Sequence, residues 1–530
     1  MKEVYKWMGP AAAVFFVIFF GIWHLFDVRA GVGQTGHGWM YGLYGLLCLF
    51  VFLSLGMACF LLIQKKLSLE LGAGILTICF GLTALFALPP LSAPDEISHF
   101  ASAYALSNRM LGLEDADEKG NVYLRSEDLV LSDIYGAQGE EERISLGRTL
   151  EEETWSVLAA HAAPLFAGEQ ERQMVPSVIG TVQTTPAAFF APALGITIAR
   201  IFRFNCVVLA FLGRFMNLLL FAASVYGSVK LLPTGKSLLL GVALLPMTLH
   251  LAASYSYDAF IMAGCFFFCS YCLNLAYARP AVRKRDIAVL GILIALLGPC
   301  KMVYAVVMGF ALLIPVKKFG GWKAWAISAG AVLLLFVLAM AAVNSRTIAV
   351  YTAGSDNYVS WAGEEGYSIP YLIHRPATYL RMLYETLVYQ ADEWFLTMMG
   401  SALGNLDPVL AVPAFGIFAL TVCLGALSIR NGDEALYLTG GQKLWILFLA
   451  GVCLLGLMTA MLVGWTPLSS QVIEGVQGRY LLPLLPFVLL TAKSRRTVRL
   501  KGDDGRILFY MCAVDAYVFL RLFGIVSMRL

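Results

Sequence analysis

The sequence predicts an all-α polytopic membrane protein with about thirteen transmembrane helices and two large extracytoplasmic loops that carry juxtamembrane helices. Three observations lead there. The 530 residues are 59% hydrophobic and only 14% charged, with a mean hydropathy of +0.74, whereas a soluble chain carries about 25% charged residues. Apolar runs of membrane-crossing length recur along the whole chain. Lysine and arginine fall mostly on alternate sides of those runs, as the bias toward cytoplasmic positive charge requires. A net charge of +3 gives no handle for nucleic acid.

The long runs lie at 8–26, 40–63, 68–89, 205–231, 323–346, 406–428, 443–464 and 506–525. Shorter or interrupted runs near 236–251, 257–278, 287–299, 302–316 and 479–492 bring the count to thirteen, with 287–299 and 302–316 also readable as a re-entrant hairpin. Met1 to Trp7 lacks a small-residue cleavage site, so the apolar run after it is a first span rather than a signal peptide. The chain divides accordingly. Residues 1–89 form an N-terminal three-helix membrane segment, and 90–204 a first extracytoplasmic loop. Residues 205–346 return to membrane helices, 347–405 make a second extracytoplasmic loop, and 406–530 close with C-terminal membrane helices.

With the N-terminus cytoplasmic, Lys65, Lys66, Lys230, Lys236, Arg279, Arg283, Lys284, Arg285, Lys317, Lys318 and Lys323 all face inward. The densest cluster, Lys493, Arg495, Arg496, Arg499, Lys501 and Arg506, falls on the same side. Short outer loops carry little beyond Arg29 and Lys301. Both long loops then face out of a cytoplasmic membrane. From Leu111 to Glu153 the first holds thirteen Asp and Glu against four Lys and Arg, the composition of a solvated insert. Pro186 to Phe202, broken by prolines, fits a juxtamembrane helix. Tyr351 to Trp394 fits one or two interfacial helices roofing a cavity. All eleven cysteines lie in or at the edge of apolar runs, so no structural disulfide is expected. Cys265-Cys269-Cys272 has no acid or histidine beside it to complete a metal site.

The chemistry-bearing stretch is Ser92-Ala-Pro-Asp-Glu-Ile-Ser-His99, against the end of the third run. Ionisable groups at a lipid boundary are costly and mark function by default. A helix starting with Ser92 as its N-cap would place Asp95 and His99 on one face and the acids at the positive dipole end. Asp258 opens a later span, Lys301 tips the short hairpin, Arg214 sits in the fourth long run, and Gln477, Arg479 and Tyr480 introduce the run at 479–492. The assumed topology sends all of them to one leaflet. A pocket of carboxylates with Arg and Lys suits a lipid-borne phosphate, gripped by Arg479 as a fork with Lys301 as a point charge. A carboxylate then takes the proton of an attacking hydroxyl, Asp95 first and Glu96 second. His99, Arg214, Asp258, Gln477 and Tyr480 complete the expected substrate-binding set.

Pro94-Asp-Glu96 with His99, Leu245-Pro-Met247 leading to Ser256-Tyr-Asp258, and Gly475-Val-Gln-Gly-Arg-Tyr-Leu-Leu-Pro483 together resemble one bacterial family. It is the predicted-membrane-protein family known as domain of unknown function 2142. Gly213-Arg214, Lys301 and Gly400-Ser-Ala-Leu-Gly404 fit the same pattern. The resemblance implies kinship with the GT-C glycosyltransferases, polytopic enzymes that take polyprenyl-phosphate sugars as donors and keep an essential acid in the first outer loop, where Asp95 and Glu96 stand. This chain departs in having two spans before the one that leads into the motif.

The expectation is therefore an inverting membrane glycosyltransferase on the extracytoplasmic face of a bacterial cytoplasmic membrane. Its partners would be a polyprenyl-phosphate-linked sugar, a cell-envelope glycan or lipid-linked acceptor, and membrane lipid. The cofactor stays unknown; Asp-Glu-x-x-His is a weak signal for a divalent cation, and no metal ligand set is assigned. Two rivals stay open: a transporter or flippase for a lipid-linked glycan, and an envelope polysaccharide polymerase or ligase.

Overall fold

The structure is a computed structural model that describes residues 2–131, 146–169, 172–353, 358–429, 436–494 and 503–529. It is overwhelmingly helical. The N-terminal part runs α1 (Lys2–Thr35), α2 (Met40–Ala58), continued by a π-helical turn to Ile63, and α3 (Leu69–Ala87). Pro89-Pro90 then stops the chain, since proline lacks the N–H a helix needs and pushes the residue before it out of helical geometry. The first polar loop holds α4 (Glu96–Met110), α5 (Glu152–Ala160) and α6 (Phe190–Ile201), with one short antiparallel ribbon pairing Tyr123–Arg125 with Met174–Pro176.

Next come α7 (Cys206–Leu231), α8 (Lys236–Ala243), α9 (Pro246–Ala252), α10 (Asp258–Tyr277) and α11 (Lys284–Leu297), a stretch of 3-10 helix over Met302–Leu313, and α12 (Trp322–Ala353). The second polar loop supplies α13 (Ile369–His374) and α14 (Pro376–Met399). The last part is α15 (Ala414–Ile429), α16 (Gly440–Trp465), a 3-10 turn at Gly478–Leu481, α17 (Leu485–Leu490) and α18 (Asp504–Met528).

Among the described residues eight helices are long and apolar enough to cross a membrane: those at 7–35, 40–63, 69–87, 206–231, 258–277, 322–345, 440–465 and 504–528. The run at 236–251 is two helices, α8 and α9, because Pro246 starts a new one after an extended Leu245. The runs at 302–316 and 479–492 are largely 3-10 or short helix, and the run at 406–428 becomes helical only at Ala414. Pro186–Ile201 is helical, as the sequence predicts. The basic residues Arg495, Arg496, Arg499 and Lys501, and the acidic Asp133 and Glu140–Glu142, lie outside the described residues.

The framework packs α1 on α18, α3 on α7, α7 on α6 and α10, and α11 on α12. Its interior is continuous Leu, Val, Phe and Ala. On the outside, Phe15, Phe19 and Trp23 of α1, Ile327 and Leu334 of α12, Phe418 of α15 and Leu444 of α16 are exposed. In water such a surface would be an aggregation hazard; in a bilayer it is the normal boundary. All eleven cysteines are free thiols in or beside these apolar helices. A smaller apolar cluster joins the second polar loop to the end of α16 through Tyr367, Leu372, Met382, Trp394, Leu462 and Ile473.

Candidate functional site

The turn after α3 is built around its own acids. Ser92 donates to the Pro89 carbonyl and does not cap the next helix, which begins at Glu96 with Asp95 in the flanking position. Asp95 is left-handed, with φ +58°, a conformation aspartate tolerates better than most residues. That backbone sends its carboxylate away from the α4 amides, so it caps nothing. Glu96 turns the other way. Its side chain is wholly buried, and its two oxygens accept from the Ala93 and Tyr255 amides at 2.8 and 2.9 Å.

Facing Glu96 at 3.2 Å is Arg214 of α7, also wholly buried. The remaining Arg214 nitrogens donate to the Leu85 and Leu88 carbonyls, two of the acceptors left without helical partners where α3 ends. A methyl group on Gly213 would lie 2.3 Å from the Tyr255 hydroxyl, so only glycine admits that ring beside Arg214. Glu96 and Arg214 thus form an internal pin joining α3, α4, α7 and the 253–257 loop. The expectation that Glu96 acts second to Asp95 as base, and that Arg214 binds substrate, meets this geometry: both side chains are wholly buried, and each faces the other's charge and backbone groups.

Asp95 meets a different arginine. Arg479 donates to Asp95 Oδ2 at 2.7 Å and to the Pro94 carbonyl at 3.4 Å, and its Nε lies 3.5 Å from Asp258 Oδ2. Arg479 itself is 2% exposed and Asp95 64%. Three distant parts of the chain meet there. Asp258 is delivered by the loop before α10, which Asn217 of α7 holds through the Ser254 and Ser256 carbonyls. Arg479 is delivered by the 3-10 turn, seated so closely on α14 that a Cβ on Gly478 would fall 1.9 Å from the Trp394 carbonyl oxygen. That close approach is why glycine precedes the arginine.

Lys301 sits in extended backbone before the 3-10 stretch, its ammonium 3.3 Å from the centre of the Tyr480 ring, while the Arg479 guanidinium is 5.2 Å from the same ring. Such contacts attract a cation to the ring face. Lys301 has no ion-pair partner among the described residues. His99, one turn into α4, is buried and edge-on to Tyr257 at 4.5 Å. Gln477 precedes the turn with its Oε1 buried and without a hydrogen-bond partner among the described residues. The structure therefore gathers Asp95, His99, Asp258, Lys301, Arg479 and Tyr480, and sets Glu96 and Arg214 behind them.

Charge follows from this placement. Burial around Asp95 works to raise its carboxyl, but the Arg479 guanidinium outweighs it and holds the group below the usual carboxylate range. Burial pushes the His99 imidazole down to about 4 against the pull of Asp95 and Asp258, so it is neutral at physiological pH. No partner of Asp95 Oδ1 is seen among the described residues, and Asp95 lines a cavity of about 250 Å³ together with Leu91, Glu96, Ser98, Arg148 and Asn405. Among the described residues no three acidic, histidine or cysteine side chains are disposed to hold a metal ion. Tyr257 and the Pro94 carbonyl, absent from the sequence-based set, belong to the site; the -Ser-Tyr-Asp- spacing before Asp258 was the only signal for the former.

These features define a polytopic membrane protein with a charged site where polar loops meet the ends of its helices. Over residues 78–488 the chain matches the family described as predicted membrane protein DUF2142, and it belongs to that family. No match was found among curated proteins or among solved structures.

Proposed function

We propose that this protein is a membrane glycosyltransferase of GT-C type, which moves a sugar from a polyprenyl-phosphate donor to a cell-envelope glycan or lipid-linked acceptor on the extracytoplasmic face. The observation that carries the proposal is the Asp95 carboxylate: one oxygen is fixed on Arg479, while the side chain is 64% exposed and lines a polar cavity. A general base needs that combination of fixed direction and open lone pair.

The guanidinium is largely engaged by Asp95, Pro94 and Asp258, so the cation left for the donor phosphate is Lys301. In the proposed step the acceptor hydroxyl enters from the Asp95 side and its oxygen bonds to the anomeric carbon. The bond from that carbon to the phosphate oxygen breaks, and the electron pair leaves with polyprenyl phosphate, whose charge Lys301 balances. The hydroxyl proton passes to Asp95 Oδ1. A single displacement inverts the anomeric centre. Because Arg479 keeps Asp95 a weak base, proton transfer comes late, as suits a reaction in which the leaving group departs early.

The test is transfer of radiolabelled sugar from polyprenyl-phosphate donors in proteoliposomes. Asp95→Asn should abolish turnover while leaving donor binding within a few-fold of wild type. Full transfer activity in Asp95→Asn would remove Asp95 as the base, and no transfer by the wild-type protein would leave a lipid-linked glycan transporter as the better account.

A further inference from the structure

A second cavity reaches the charged cluster from the apolar side. It measures about 270 Å³ and runs between α16 and the stretch from Tyr480 to Val488, with Gly451, Leu454 and Leu457 on one wall and Tyr480, Leu484 and Val488 on the other. The two walls run antiparallel, because Lys443 in the first turn of α16 donates to the carbonyl of Lys493, beyond α17. Gly451 therefore marks the end away from Tyr480. Apart from the Tyr480 hydroxyl and the Cys453 thiol, the lining side chains carry no polar atom that binds a headgroup. At the Tyr480 end stand the Lys301 ammonium and the Arg479 guanidinium, both over the same ring.

From this we infer that the groove holds the proximal part of a single isoprenoid chain whose phosphate rests at Lys301. The inference builds on the transferase assignment and adds where the donor lipid lies. An apolar trench that ends at a cation with no carboxylate ion-pair partner among the described residues complements a one-tailed anionic lipid. A larger apolar cavity of about 350 Å³ lies among α11, the 302–313 stretch and α12; among the described residues its lining holds Ser328 and the Trp325 indole as polar side chains, and the nearby Lys318 is engaged by the Leu275, Ala276 and Arg279 carbonyls. Because lipid tails are as apolar as leucine, the groove adds little affinity over the bilayer and mainly fixes position. Position is thus the quantity to measure.

The experiment uses the full-length protein in nanodiscs and a polyprenyl phosphate with a photoactivatable group in its chain, the adducts being mapped by peptide mass spectrometry. Expected adducts lie on α16 and residues 481–488, and unlabelled polyprenyl phosphate should compete them away several-fold better than the neutral polyprenol. Lys301→Gln should erase that preference. Gly451→Leu should move long-chain adducts out of the groove while leaving a geranyl phosphate probe in place. A Cβ at position 451 meets no atom within 4 Å, and leucine favours helix over glycine, so this variant keeps its fold. Adducts scattered over the lipid-facing surface or concentrated on α11 and α12 would overturn the groove assignment even if sugar transfer is observed. Adducts from a two-chain phospholipid probe that polyprenyl phosphate cannot displace would overturn it as well. Groove adducts without any transfer would uphold it and refute the transferase assignment instead.

Discussion

Replacing Glu96 by glutamine tests whether the Pro94-Asp95-Glu96 motif divides its labour between chemistry and architecture. Both partners of the Glu96–Arg214 pair have fully buried side chains, with 3.2 Å between them. Removing one charge leaves the guanidinium uncompensated, which costs about 3–5 kcal/mol for buried pairs. Glutamine also keeps only one acceptor for the Ala93 and Tyr255 amides, a further loss of about 1 kcal/mol. Arg214→Met should cost a similar amount, since it strands the carboxylate and frees the Leu85 and Leu88 carbonyls. The double variant removes both charges, so its loss should fall short of the sum by about 2 kcal/mol. Thermal unfolding in nanodiscs, followed by tryptophan fluorescence, reads the series; each single variant should melt several degrees lower. Asp95→Asn, which leaves Arg479 its Asp258 partner and keeps an acceptor at position 95, should melt between wild type and Glu96→Gln. Additive losses, or a Glu96→Gln protein as stable as wild type, would refute the pin and return Glu96 to the candidates for proton transfer.

Two other expectations concern the same site. Gly478→Ala forces a methyl group into the Trp394 carbonyl, so the 3-10 turn must lift off α14; the loss should be about 1–3 kcal/mol in the melting series, with photolabelling at the Tyr480 end reduced as Arg479 moves. For His99 the folded value of about 4 lies below the unfolded 6.5, so the unfolded chain binds the extra proton. Stability is complete above about pH 6.5 and falls as pH drops toward 4, by up to about 3 kcal/mol, and His99→Phe should flatten that part of the melting-temperature profile.

Much of this was written in the sequence because it depends on local pattern. Apolar run length marks the spans at the two ends of the chain, at 206–231 and at 440–465, since the bilayer imposes one length on every crossing helix. Prolines mark helix boundaries: Pro89-Pro90 after α3, Pro246 at the start of α9, Pro186 at the start of the juxtamembrane helix. The Pro-Asp-Glu and Gln-Gly-Arg-Tyr stretches stood out because charge beside an apolar run is expensive. Tertiary structure decided what those charges do. Which arginine meets which acid depends on contacts between residues more than a hundred positions apart, and no local spacing encodes them. The difference between Asp95 and Glu96 is a single left-handed residue, which turns one carboxylate toward Arg479 and the cavity and the next toward Arg214 and the interior. On a regular helix beginning at Ser92 they would diverge by about 100° around one axis. The turn instead separates them into a buried strut and an open site, because the backbone amides of Ala93 and Tyr255 and the end of α3 needed satisfying where no water reaches.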